Sequence, residues 1–113
     1  MKILRCLRWV GTMFVVAVIA CATTVPPRDL IERNDHRGLA TWYEQEAVRL
    51  RSKADEMRRM AEEYASPSFQ PAPKETRAEL ITHCELFVTY YTRADDEADA
   101  LAKLHRQEDK ALP

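Results

Sequence analysis

Four side chains in this sequence have the types and spacing from which chemistry could be built: His36, His83, Cys84 and His105. Neutral imidazole and thiolate are the usual ligands of zinc and copper, and imidazole also ligates haem iron. His83 and Cys84 are neighbours, and adjacent residues on a helix point about 100° apart, so they do not close on one ion. They precede His105 by 21 residues or more, about 30 Å of helix at 1.5 Å per residue. Cys84 is therefore a separate thiol site, suited to filling a core as a small apolar group or to a soft pairing with Met57. His36 and His105 are the candidate metal pair, with Asp35 or Glu108 as further oxygen donors. Two imidazoles alone leave a coordination shell incomplete, and water at a fraying helix end would satisfy them equally well.

Other chemistry is missing from the sequence. It has no glycine-rich phosphate loop, no nucleophile elbow and no HExxH motif. The acidic run 95–99 lacks the glycine that a calcium loop turns on, and reads as a solvated helix face. No enzymatic activity and no cofactor are expected. With 17 Lys and Arg against 18 Asp and Glu, both signs interspersed, there is no basic face for nucleic acid.

The elements that must position the histidines are helices with a seven-residue repeat. His36, Ala40, Tyr43, Ala47, Leu50, Ala54, Met57, Ala61 and Tyr64 alternate steps of four and three. The same alternation picks out Leu80, Cys84, Phe87, Tyr91, Ala94, Ala98, Leu101 and His105. Asn34 or Asp35 can cap the first helix, over about 35–65, and Ser66-Pro67 ends it. A proline-rich loop, 66–73, leads to a second helix over about 74–110. The expected fold is all-α, an antiparallel two-helix hairpin on an alanine-rich coiled-coil seam. Placing Tyr64 opposite Arg77 sets Leu50 against Tyr91, Ala47 against Ala94, Tyr43 against Ala98 and His36 against His105. Large residues then meet small ones. Apolar residues also flank the seam (Leu39, Met60, Ile81, Val88, Leu104), with Trp42, Leu86 and Tyr90 further round. Dimerisation into a four-helix bundle would cover them.

The first 26 residues speak to address rather than chemistry. Lys2, Arg5 and Arg8 precede an apolar run over 9–20, the layout of a secretory signal and about half the length needed to span a bilayer. Its exit, Val18-Ile19-Ala20-Cys21, resembles the bacterial lipobox. The resemblance implies that residues 1–20 are a signal peptide, that Cys21 carries a diacylglycerol, and that its new amine is acylated with palmitate or a similar chain. Residues 21–34 would then be the lipidated cysteine and its tether, stiffened by Pro26 and Pro27, with a short helical turn after the prolines. Ala22 after the cysteine, by analogy with lipoprotein sorting in enteric bacteria, directs the protein to the outer membrane, facing the periplasm.

Removal of 20 residues leaves 93, enough for one small domain. Of the 17 basic residues three leave with the signal, so 14 face 18 acidic ones and the formal charge is −4. No basic patch binds anionic lipid, so the acyl chains would be the membrane contact. Cys84 would be the one free thiol of the mature chain, which excludes an internal disulfide.

The pattern His36-x-x-Leu39-Ala40-x-x-Tyr43, His83-Cys84-x-Leu86 and Leu101-Ala102-x-x-His105-Arg106 resembles a group of small uncharacterised proteobacterial envelope proteins. The resemblance covers about two thirds of the chain and implies a helical hairpin in the bacterial envelope. The expected function is a lipid-anchored helical module for structure or interaction, with a homodimer or an envelope protein as partner. The alternative is a periplasmic metal-binding protein using His36 and His105.

Overall fold

A computed structural model of the chain describes residues 27–74 and 76–113. The expected signal peptide, the lipobox-like stretch 18–21 and the part of the expected tether before Pro27 lie outside the described residues. The described part is all-α: a short α1 (Pro27–Glu32), then α2 (His36–Ala65) and α3 (Arg77–Ala111), which pack against each other as an antiparallel hairpin. None of these helices is long and apolar enough to cross a membrane.

Local chemistry sets each boundary. Pro27 opens α1, where a missing N–H costs nothing. Asn34 takes a positive φ of 54° and turns the chain, a conformation asparagine tolerates. Asp35 then caps α2, its Oδ1 accepting from the Gly38 N–H at 2.8 Å. A Cβ on Gly38 would lie 2.7 Å from Asp35 Oδ2 and 3.0 Å from Leu30 Cδ2. The glycine is therefore what lets the cap and α1 share one spot. Leu30, buried at that contact, docks α1 onto α2. Ser66, extended as the residue before a proline must be, stops α2.

The second long helix starts later than expected, at Arg77 rather than about 74. Thr76 and Glu79 form a capping box: the threonine hydroxyl accepts from the Glu79 N–H, and the glutamate accepts from the Thr76 N–H and hydroxyl. These bonds hold the Glu79 carboxyl below the ordinary carboxylate range. The box outweighs the helix-permissive residues before it.

Residues of three expected layers gather at the middle of the hairpin. Ala47, Leu50 and Ala98 are buried together, with Tyr43, Tyr91 and Ala94 packed on them. Ala40, Ala47 and Ala54 have at most 2% of their surface exposed, so the backbones approach closely along α2's alanine stripe. On α3 the buried line runs Cys84, Asp95, Ala98, Ala102. It is rotated from the expected seam, and Phe87, expected inside, is 50% exposed and stacks on Tyr91. Asp95, expected in a solvated run, is buried instead, because Arg51 reaches across from α2 with two N–H donors at 2.9 and 3.1 Å. The intrahelical ion pairs on α2 are Arg49–Glu46, Lys53–Glu56 and Arg58–Asp55, all at i,i+3.

Candidate functional site

Helix α2 begins with His36, and α3 brings His105 to it near its own C-terminal end. The two Nδ1 atoms are 3.0 Å apart, and the ring centroids are 5.3 Å apart with a 32° tilt. One ring therefore donates its Nδ1–H to the lone pair of the other, so at most one of these two nitrogens carries the proton between them. His105 also stacks on Tyr43, with centroids 5.7 Å apart and planes within 4°. Trp42 meets Tyr43 edge-on at 4.9 Å. The open end of the hairpin is thus an aromatic column in which His105 sits between His36 and Tyr43. The heptad spacing places the two histidines in one layer but carries no sign of the stacking. His105 reaches both His36 and Tyr43, one full heptad apart on α2, across Ala40.

Two cross-helix ion pairs flank the column. Arg37 donates to Asp109 at 3.3 Å, and Arg106 donates twice to Glu44, at 3.0 and 2.7 Å. The Arg106 bonds pull the Glu44 carboxyl below its ordinary range and raise the guanidinium in turn. Both groups of that pair are well exposed, which screens its contribution to stability.

Tetrahedral zinc with bonds of about 2.0–2.1 Å sets its ligand atoms about 3.3 Å apart. The Nδ1 separation is therefore close to one edge of such a site. The remaining corners are less well supplied. Asp35 is committed to capping Gly38, Asp109 to Arg37 and Glu44 to Arg106. Among the described residues no group of three or more His, Cys, Asp or Glu side chains converges. His83 and Cys84 are not part of this end. Cys84 is a buried free thiol in the seam, and His83 is exposed beside it. What the arrangement offers chemically is a hydrogen-bonded imidazole pair holding one proton, or an ion in that proton's place.

Compared with protein families, with curated proteins and with solved structures, the chain finds no match.

Proposed function

We propose that this chain is a lipid-anchored bacterial envelope protein that works as a helical module for structure and interaction. The observation that carries the reading is a join of sequence and shape. Cys21 stands six residues before Pro27, and α1 docks at the same end of the hairpin as His36 and His105. An acyl anchor there would hold the rod by one end and leave its length free for contacts. Leu86, Tyr90 and Leu104 of α3 are all more than half exposed, which suits such contacts.

The anchor is tested by labelling cells with a fatty-acid probe. Wild-type chain is expected to take the label, and Cys21→Ser to lose it completely and stay unprocessed. Equal labelling of the two would remove the anchor from the proposal. Ala22 supports the outer membrane as the address, and fractionation that finds only inner-membrane protein would refute that step.

The Nδ1–Nδ1 contact favours a second reading, a periplasmic site for zinc or copper on His36 and His105. An ion that binds only the folded state stabilises by about 2.7 kcal/mol at a hundredfold excess over Kd. On this reading the thermal midpoint of the full chain rises with zinc, and the rise is lost in His36→Ala and in His105→Ala. It is kept in Cys84→Ser, and it fades in acid because the ligands must be deprotonated. The interaction-module reading expects no histidine-dependent rise, since two imidazoles fill half a tetrahedral shell. Micromolar, histidine-dependent binding by calorimetry would reverse the order of the two readings.

A further inference from the structure

We infer that the outer face of α3 is a second coiled-coil seam, and that its occupant is a second copy of this chain bound antiparallel, α3 against α3. Leu86, Tyr90, Arg93, Glu97, Ala100 and Leu104 follow steps of four, three, four, three and four, the spacing of heptad seam positions. All six are exposed, Leu86 by 59%, Tyr90 by 66% and Leu104 by 56%. The face is open and only shallowly dented between its side chains: one depression is lined by His83, Leu86, Phe87 and Tyr90. A neighbouring shallow depression is bordered by Leu86, Tyr90, Arg93 and Glu97.

The order of residues along this line says what fits it. Turned end over end about Asp95, the row reads onto itself. Leu86 meets Leu104 of the second copy, Tyr90 meets Ala100, and Arg93 meets Glu97. Large faces large or small in a fillable way, and each dimer gains two Arg–Glu pairs at its centre. A parallel arrangement would instead set Arg93 against Arg93 and Glu97 against Glu97, which is repulsive. Neither Arg93 nor Glu97 is in an ion pair among the described residues. The cross-helix pairs use Asp95, Asp99, Arg106 and Asp109, which at 100° per residue lie on the other flank of α3. One flank of the hairpin is thus tied within the chain, and the other carries a row complementary to itself. From Leu86 to Leu104 that row is about 27 Å long.

The inference rests on the reading of the chain as a helical interaction module, but its test is independent of the anchor. Full-length chain in detergent micelles is examined by sedimentation, with helicity followed by circular dichroism. Wild type is expected to be a dimer. Arg93→Glu should raise the dimer Kd about tenfold or more at unchanged helicity, because the introduced carboxylate of each copy then faces Glu97 of the other. The exchange Arg93→Glu with Glu97→Arg should restore the dimer. A monomeric wild type, a dimer indifferent to Arg93→Glu, or a loss that the exchange does not repair would each overturn the antiparallel seam. A chain acylated at Cys21 yet monomeric would refute the dimer and leave the anchor standing, while an unacylated dimer would do the reverse.

Discussion

Ala47→Leu is expected to destabilise the hairpin by about 1–3 kcal/mol, the usual cost of forcing extra methylenes into a packed seam. Ala47 is 1% exposed and sits in a cluster with Leu50 and Ala98, against Tyr43, Tyr91 and Ala94. Neighbours held in place by two helices leave no direction in which a leucine can extend. For a domain of this size each kcal/mol lowers the thermal midpoint by about 4–8 °C. Ala40→Leu and Ala54→Leu should behave alike, since their surfaces are as fully covered. Ser52→Leu, on the exposed side of α2, should stay within about 0.5 kcal/mol of wild type. Equal melting of Ala47→Leu and Ser52→Leu would mean that α2's alanine stripe is not the surface that meets α3.

Arg77→Ala is the second large effect, expected at about 2–3 kcal/mol from the loss of charge-assisted hydrogen bonds. The guanidinium donates to three backbone carbonyls, those of Tyr64, Ser66 and Phe69. Two of these belong to the end of α2, where carbonyls have no partner within the helix, and the third belongs to the loop. The guanidinium carbon also lies 5.9 Å from the centre of the Phe69 ring, which in turn packs edge-on against Tyr64. One side chain at the first turn of α3 thus fastens the loop to both helices. Arg77→Lys should recover only part of the loss, because an ammonium lacks the planar fork that spans divergent acceptors. Arg59→Ala, exposed on α2, is the neutral comparison. If chemical denaturation finds Arg77→Ala as stable as Arg59→Ala, the Tyr64–Phe69 contact alone closes the hairpin.

The heptad steps and the breaks at Ser66 and Pro67 suffice to read two helices, their antiparallel pairing and the layer that joins His36 to His105. Those features follow from apolar periodicity and from a loop too short for any other return, and both are local properties. What escapes the sequence depends on partners across the seam. Phe87 carries the right spacing for the interior, yet Cys84, Ala98 and Ala102 bring α3 closer on one side, and the larger ring is left at the edge. Asp95 looks like part of a hydrated acidic run until Arg51 stands opposite it. The later start of α3 is a different case, because its cause is local: the Thr76–Glu79 box overrides the absence of breakers over 74–76. At the candidate site the histidine contact is legible as a layer. Its aromatic neighbours are not, since ring stacking is decided by rotamers rather than by heptad position.

The start of α2 and the end of α3 lie side by side, and this has a mechanical consequence. Tension applied between these two ends loads the hairpin as a zipper, one layer at a time, and the first contacts to bear it are Arg37–Asp109 and His36–His105. Glu44–Arg106 stands at the same mouth as the next stitch. Tension applied between either end and the loop would instead pass along a single helix and load its own hydrogen-bond ladder, leaving the seam off the line of force. A rod held and pulled at its mouth therefore opens layer by layer from that end, whereas the same rod pulled from mouth to loop bears the load on one helix alone.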